Sequence, residues 1–257
     1  MAAERPTVVI VPGAWTVPAA YRKLVDVLKA KSFDVRIPAL PTNNGIRPPN
    51  SSFEADVAAV RAIVEPLVQD SKEVFMLMHS YGGSVGTNAV GGLAVKDRQA
   101  KNLPGGVVHL LYLSAYLLAK GQSVWKVVEK SGIMEEVRPH ITFEEDGTWF
   151  LGNPIWAMYH DLDPADQEEQ KSLLQIQNFS AVKGEVTYEA WRDIPSTYVY
   201  TPEDRCMPAL YQDICIGNTK EAGIPLNVVV FENCAHSAYV KHPKEVADIV
   251  VKASKSD

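Results

Sequence analysis

The chain has 257 residues, of which 46% are hydrophobic and 22% charged, close to the averages for soluble globular proteins and enough for a buried core. The 25 Lys and Arg residues against 31 Asp and Glu residues give a net charge of −6, so no basic excess is available to neutralise nucleic-acid phosphates. There is no run of about 18 apolar residues, which argues against a membrane-spanning helix. The three cysteines form no CxxC pair, which argues against a disulfide framework or a zinc ribbon, and each is expected to be a small buried hydrophobe.

The first part of the chain alternates predicted strands and helices. Residues 1–7 include Glu4 and Arg5 and lack the apolar core of a signal peptide, so we expect a cytoplasmic protein. β-branched and apolar runs predict strands, and apolar residues at helical spacing predict helices. The predicted strands are Thr7–Val11, Asp34–Ile37, Glu73–Met78 and Val107–Ser114, and the predicted helices are Pro18–Lys31, one capped by Ser51 or Ser52, and Gly82–Ala94. The intervening Pro38–Asn50 is predicted to be a loop.

The second part of the chain begins with a long segment that breaks this alternation. Leu117–Pro195 is too long for a simple connection and contains four of the five tryptophans, so we interpret it as a helical insertion. Its predicted helices are Ser123–Val137 and Pro164–Ile176, and beyond it lie the predicted strands Thr197–Thr201 and Asn227–Phe231 and the predicted helix Pro243–Ser254. The pattern predicts an α/β fold with a doubly wound, mainly parallel six-stranded sheet. Residues 1–116 and 196–257 would form the core, and residues 117–195 the insertion between strands four and five.

A serine follows the third predicted strand. In parallel α/β sheets ligands bind beyond the carboxyl ends of the strands, so the residues directly after each strand are candidates for a site. Ser80 lies on a strand-to-helix turn that matches the nucleophile-elbow pattern GxSxG, with Met78 in place of the first glycine. The sequence therefore predicts Ser80 as a nucleophile, and the alternative is a serine that only caps the helix.

A base and a carboxylate follow the last two predicted strands. A nucleophilic serine needs a base, and His236 follows the sixth strand at the edge where Ser80 is expected. The other histidines are less well placed: His79 points away, His109 lies within a strand, His140 and His160 lie in the insertion, and His242 lies beside the last helix. A carboxylate must orient the base, and Asp204 after the fifth strand is preferred to Glu203. An ordinary charged loop is the alternative.

Two backbone N–H groups are predicted to stabilise the oxyanion of an acyl-transfer reaction. One belongs to Tyr81, directly after the predicted nucleophile. The other belongs to Ala14, in the loop after the first strand, where Gly13 permits a tight turn. A plain Pro-Gly turn is the alternative.

Together these residues resemble the α/β-hydrolase superfamily, and within it the small branch of plant methylesterases, hydroxynitrile lyases and related fungal and bacterial hydrolases. The marks of the resemblance are Val11–Trp15, the Ser80 elbow, Tyr188–Trp191 before Ile194–Tyr198, Asp204 followed by Pro208 and Gln212, and Ala235–Ser237 followed by Pro243. Family members usually carry His where Pro12 stands and Gly where Met78 stands. The resemblance implies that no cofactor or metal is used and that the insertion is a cap over the active site.

The resemblance leaves more than one reaction open. Hydroxynitrile lyases of this type carry Thr and Lys where this chain has Gly13 and Ser237. We therefore predict a serine hydrolase that cleaves a carboxylic ester or lactone of a small to medium, largely apolar substrate through an acyl-enzyme intermediate. Hydroxynitrile lyase or other C–C cleavage on the same triad, and a non-catalytic ligand-binding protein, are the alternatives.

The predicted substrate pocket is largely aromatic. Its candidate residues are Gly13, Trp15, Tyr116, Trp125, Trp149, Trp156 and Tyr159. Aromatic side chains that belong only to the core are the alternative for each position. The expected partner is a small-molecule substrate, neither a nucleic acid nor a membrane is expected to bind, and a homodimer is left open.

Overall fold

A six-stranded parallel sheet organises the chain in the computed structural model, which describes residues 5–255. The sheet order is β2-β1-β3-β4-β8-β9, and every neighbouring pair is parallel. These strands are β1 (Thr7–Val11), β2 (Val35–Arg36), β3 (Glu73–His79), β4 (Gly106–Leu113), β8 (Ser196–Tyr200) and β9 (Asn227–Val230). Strands β1, β3, β4 and β8 are buried because helices cover a parallel sheet on both faces, whereas the edge strands β2 and β9 are partly or largely exposed. The predicted doubly wound six-stranded fold is confirmed.

The helices outside the insertion form two groups beside the sheet. Helix α1 contacts α9 and α10, whereas α2 contacts α3. Their bounds are α1 Arg22–Ala30, α2 Phe53–Gln69, α3 Gly82–Ala89, α4 Val95–Gln99, α8 Ala209–Glu221, α9 Ala238–Lys241 and α10 Pro243–Ala253. The Ser52 hydroxyl caps α2 by accepting the N–H of Ala55. No helix within residues 5–255 is long and apolar enough to cross a membrane.

The segment between β4 and β8 is not purely helical, so that part of the prediction is wrong. It contains α5 (Val124–Ser131), α6 (Met134–Val137) and α7 (Pro164–Ser172), together with an antiparallel sheet of β5 (Ile141–Phe143), β6 (Thr148–Leu151) and β7 (Gln177–Asn178). Strands this short leave too little alternation to be detected from sequence. The predicted helix Ser123–Val137 is divided because Gly132 ends α5 in the left-handed conformation, with φ 75°.

Two further differences concern helices. The predicted helix Gly82–Ala94 stops at Ala89, and α4 begins after Gly92, whose φ is 73°. Helix α8 was not predicted at all. It buries polar side chains, including Gln212 and Asn218, so no apolar stripe marks its inner face. The Gln212 amide donates to the carbonyls of Thr201 and Met207, which offsets its burial.

Glycines bring the start of α3 against two strand ends. A Cβ at Gly82 would lie 2.4 Å from the carbonyl oxygen of Val11, and one at Gly83 would lie 2.7 Å from that of Tyr116. Only glycine permits such close approach of backbones. The turn between β3 and α3 is thereby packed between the loops that follow β1 and β4, at the carboxyl edge of the sheet.

Candidate active site

Ser80 occupies the sharp turn between β3 and α3. Its φ is 53°, in the left-handed region that residues other than glycine seldom adopt. The backbone holds this conformation, because the Ser80 carbonyl accepts the N–H groups of Gly83 at 2.9 Å and Tyr116 at 3.1 Å. The side chain lines a cavity. A strained turn that presents a hydroxyl to a cavity is the geometry expected of a nucleophile elbow.

Met78, the departure from the elbow pattern, is accommodated by a glycine on the facing helix. Met78 is fully buried in β3. A Cβ at Gly86 of α3 would lie 2.5 Å from the Met78 sulfur and 3.3 Å from a methyl group of Val11. The methionine side chain thus occupies space that the absent side chain of Gly86 leaves open, and the close packing of helix and strand is retained.

His236 and Asp204 form a buried hydrogen-bonded pair. Nδ1 of His236 lies 2.6 Å from Oδ2 of Asp204, and their side chains are 1% and 0% exposed. Oδ1 of Asp204 accepts the N–H groups of Cys206 at 2.8 Å and Met207 at 2.7 Å, which fixes the carboxylate. In a neutral imidazole this arrangement places the proton on Nδ1 and leaves Nε2 able to accept one. The alternative acid, Glu203, is exposed.

His79 is next to Ser80 in the chain and in contact with His236. The His79 ring precedes Ser80 in the chain and packs against the His236 ring, with centroids 4.5 Å apart. The Ser80 hydroxyl and Nε2 of His236 form no hydrogen bond with each other or with another residue in the range 5–255. Catalytic hydrogen bonds are often absent or long in unliganded sites and tighten when substrate binds.

Two backbone N–H groups of the loop after β1 donate hydrogen bonds to buried side chains. Gly13 donates to the Tyr21 hydroxyl at 3.0 Å, and Trp15 donates to Oδ1 of Asn43 at 3.2 Å. The Asn43 amide also donates to the Gly13 carbonyl, at 3.0 Å. These bonds hold the loop in one conformation, in which Trp15 has a φ of 61°.

The N–H groups of Ala14 and Tyr81 remain available. Neither has a hydrogen-bond acceptor among the described residues. The Tyr81 N–H is at the start of α3, where helices leave N–H groups unsatisfied. The loop of Ala14 lies against the nucleophile, since a Cβ at Gly13 would be 3.0 Å from Cβ of Ser80. Both N–H groups predicted from the sequence thus lack another acceptor within residues 5–255, and their role as oxyanion donors stays a prediction.

A cavity of about 690 Å³, including its open mouth, adjoins these groups. Five of the predicted pocket residues line it: Trp15, Tyr116, Trp125, Trp149 and Trp156. Ala14, Ser80 and Tyr81 also contribute to its wall. The inserted segment supplies much of the remaining, mainly apolar surface, with Val124, Val128, Ile141, Leu151 and Val182.

Two predicted pocket residues do not line the cavity. Gly13 has no side chain, and its backbone groups bond to Tyr21, Thr16 and Asn43. Tyr159 is fully buried, and its pKa is raised by burial and by the neighbouring Tyr239 and Tyr21, which places it in a core cluster of tyrosines. Trp156, in the same π-helical turn Ile155–Tyr159, remains half-buried and lines the cavity.

Several cavity residues were missed by the sequence analysis. Arg205 and Cys206 directly follow Asp204, so the strand-end argument that identified Asp204 could have included them. Tyr211 lies on α8, a helix that the sequence pattern does not indicate, and His140 lies in the insertion, away from the ends of the strands. Cys206 is half-buried rather than a core hydrophobe, and burial raises the pKa of its thiol well above the usual value. Cys215 and Cys234 are buried, as expected.

Metal binding finds no ready donor set in the described part of the chain. Within residues 5–255, no group of three or more His, Cys, Asp or Glu side chains is placed to hold a metal ion. The absence of a cofactor stays a prediction.

Comparisons with known proteins agree with this architecture. A model described as "Alpha/beta hydrolase family" matches residues 8–249. The alpha/beta hydrolase nvfD of Aspergillus novofumigatus (strain IBT 16806) is 28% identical over 216 residues, which cover 81% of this chain and 82% of that protein. The fold is similar to that of polyneuridine aldehyde esterase, with a TM-score of 0.74 and 16% identity over 98% of this chain and 100% of the other. It is also similar to that of tomato methylketone synthase I complexed with 2-tridecanone, with a TM-score of 0.75 and 15% identity over 96% and 97%.

Proposed function

The chain belongs to the alpha/beta hydrolase family, and from this premise we propose that it is a serine hydrolase that cleaves a carboxylic ester or lactone through an acyl-enzyme intermediate. The observation that carries the proposal is the buried pair of His236 and Asp204 at 2.6 Å, at the sheet edge where Ser80 faces a cavity. Here the pair supplies a base with its unprotonated nitrogen free, and the cavity supplies room for an acyl group.

The proposed reaction begins when Oγ of Ser80 attacks the ester carbonyl carbon. Nε2 of His236 takes the hydroxyl proton, while Asp204 stabilises the imidazolium and keeps its orientation. Nε2 then returns the proton to the leaving alkoxide, and the acyl group stays on Ser80. A water molecule deprotonated by His236 attacks the acyl-enzyme and releases the acid, which restores the serine.

The negative charge that develops on the carbonyl oxygen would be held by the Ala14 and Tyr81 N–H groups. Both are free of other acceptors within the described range and lie beside Ser80. Oxyanion donors of this kind typically contribute about 100- to 1000-fold in rate. Their backbone origin means that they cannot be removed by truncating a side chain.

The cavity supports a largely apolar substrate of small to medium size. Its wall is mostly tryptophan, tyrosine and aliphatic side chains, much of it from residues 117–195, which we propose act as a cap. Hydrolysis is preferred to cyanohydrin cleavage because Ser237, a neutral residue, directly follows His236. A departing cyanide anion would find no cationic side chain at that position.

The first experiment is to label the protein with a fluorophosphonate and to measure the intact mass. One adduct is expected in the native protein and none in Ser80→Ala or His236→Ala. Ser84→Ala is the matched control, because this buried serine lies one turn along α3 and bonds to the Tyr81 carbonyl. An adduct that persists in Ser80→Ala, or none in the native protein, would contradict the proposed nucleophile.

A substrate panel then separates the reaction classes. Aryl and alkyl esters, lactones and cyanohydrins would be offered to the native protein and to Ser80→Ala. Turnover of esters or lactones that is lost in Ser80→Ala supports hydrolysis. Cleavage of cyanohydrins alone would favour the lyase reaction, and binding without turnover of any compound would favour a ligand-binding protein.

A further inference from the structure

The cavity wall contains one arginine, which pairs with no carboxylate among residues 5–255. Arg205 lies between Asp204 and Cys206 and is exposed at the cavity. Its guanidinium lies over the ring of Trp156, with 5.3 Å between the guanidinium carbon and the ring centroid. Within the described residues it forms no hydrogen bond or ion pair. By contrast, Arg22 and Arg47 both pair with carboxylates.

The carboxylate nearest in sequence cannot pair with Arg205. Both oxygens of Asp204 are already engaged, one by His236 and the other by the N–H groups of Cys206 and Met207. Asp204 is also fully buried, whereas Arg205 reaches the cavity and the solvent. The guanidinium thus presents its donors to whatever occupies the cavity.

A second polar side chain lies on the same tryptophan. The His140 ring stacks on the Trp156 ring, with centroids 3.6 Å apart and planes inclined by 17°. Its ring nitrogens form no hydrogen bond with the described residues. Arg205 and His140 both pack on the Trp156 ring, and both can donate hydrogen bonds in a cavity whose remaining wall is mostly apolar.

We propose that the cavity takes an ester or lactone with an apolar body that also carries an ionised carboxylate, which Arg205 binds with the assistance of His140. A guanidinium matches a carboxylate through two parallel hydrogen bonds. The chain has a net charge of −6, so a preference for an anion must come from a local cation rather than from the overall field. That the ligand is an ester or lactone rests on the proposed function. That it carries a carboxylate rests on Arg205.

Binding tests the carboxylate site without turnover. The probes are 4-phenylbutyrate and its neutral amide, 4-phenylbutyramide, measured by calorimetry at low salt. The native protein is expected to bind the carboxylate about 5- to 20-fold more tightly than the amide. This preference is smaller than a buried arginine would give, because Arg205 is exposed to solvent. Arg205→Gln should remove this preference and Arg205→Lys should keep part of it. Arg36→Gln, which removes the same charge from an exposed arginine on β2, should keep all of it.

Turnover separates this inference from the proposed function. The substrates are the monomethyl and dimethyl esters of one long dicarboxylic acid. The monoester should have the higher kcat/KM, and Arg205→Gln should lower that value about 5- to 20-fold more than the value for the diester. Equal values for both esters in the native protein, or equal binding of the two probes, would overturn the carboxylate site and leave the hydrolase standing. Carboxylate binding without hydrolysis of any ester would overturn the proposed function alone.

Discussion

The Tyr21 hydroxyl lies 2.8 Å from Nδ1 of His79, and Nε2 on the other side of that ring lies 3.1 Å from the backbone carbonyl oxygen of His236. A carbonyl only accepts, so Nε2 of His79 carries the proton, and Nδ1 of the neutral ring accepts from Tyr21. Burial, together with the neighbouring His236, lowers the pKa of His79 well below the usual value. Near neutral pH the ring therefore stays uncharged and in one tautomer.

This histidine extends a chain of hydrogen bonds between two loops of the candidate site. The Tyr21 hydroxyl that donates to His79 also accepts the N–H of Gly13. The loop with the available Ala14 N–H is thereby linked through Tyr21 and His79 to the backbone of His236. Every member of this chain is buried, so the loss of one bond would leave a buried polar group unpaired.

Replacing Tyr21 with Phe should weaken both the fold and the proposed reaction. The change leaves Nδ1 of His79 and the Gly13 N–H unpaired in the core, so the free energy of unfolding should fall by about 2–4 kcal/mol. The kcat/KM for an ester should fall at least about tenfold, because misplacement of an oxyanion donor is costly. Urea denaturation and steady-state kinetics measure the two effects. Tyr188→Phe is the control, since its hydroxyl bonds to Asp193 in a half-buried position. Equal losses in the two variants would contradict the role of the network.

The sheet and the candidate triad could be predicted because the chemistry of this fold lies at strand ends. Continuous apolar runs located most of the strands, and the connections that follow three of them contain Ser80, Asp204 and His236. The hydrogen bond between Asp204 and His236 joins side chains 32 positions apart, yet strand order alone brings their loops to one edge.

What could not be predicted depends on tertiary contacts. Strands β5 to β7 contain two to four residues each, too few to show a period, and they pair with one another across the segment, as Phe143 does with Trp149. Helix α8 buries amides that bond to distant carbonyls, a pattern that looks polar in sequence. The sequence predicts both Tyr159 and Trp156 as pocket residues. The packing of the π-helical turn decides that Tyr159 lies in the core and Trp156 at the cavity.

Replacing Trp125 with Ala should weaken the binding of bulky substrates selectively. Trp125 lines the cavity and packs edge-on against Phe179, with ring centroids 4.9 Å apart. Loss of its contact surface should raise KM about tenfold for esters with a large apolar group and much less for acetate esters. Trp191→Phe is the control, because Trp191 is buried away from the cavity and bonds to the Leu118 carbonyl. An equal rise in KM for both substrate classes would assign Trp125 a purely structural role.

The free energy of unfolding should depend on pH through Asp56, in a direction that follows from its raised pKa. This buried carboxylate accepts the hydroxyl protons of Thr42 and Tyr81, and burial nevertheless raises its pKa. A raised pKa means that the folded state binds the proton more tightly, so the contribution of Asp56 to stability falls as pH rises from about 4 through the raised value.

The measurement is the difference in unfolding free energy between the native protein and Asp56→Asn at several pH values. Asparagine does not titrate, so this difference should shift in favour of the variant as pH rises above about 4. Asp34→Asn, at an exposed carboxylate paired with Arg36, controls for ordinary surface titration. If the difference in unfolding free energy does not change with pH, or shifts in favour of the native protein as pH rises, the raised pKa would be contradicted.

The packing of Met78 against Gly86 makes a double-mutant cycle informative. Gly86→Ala places a methyl group where the Met78 sulfur lies, and overpacking of this kind should cost about 1–3 kcal/mol. Met78→Ala alone should cost about 2–4 kcal/mol through the cavity that it leaves. In the double variant the new methyl group occupies part of the vacated space, so the combined cost should be at least about 1 kcal/mol less than the sum.

Gly217→Ala is the matched control for the change in helix propensity that Gly86→Ala also causes. Gly217 lies in α8, and a Cβ there would meet nothing within 4 Å, so that variant should gain up to about 1 kcal/mol from helix propensity. The rate of fluorophosphonate labelling gives a second measurement, because Gly86 and Met78 set the distance between α3 and β3 that positions Ser80. Gly86→Ala should slow labelling, and the added Met78→Ala should restore part of the rate. Additive stability losses would show instead that the glycine at position 86 does not compensate for the methionine in the elbow.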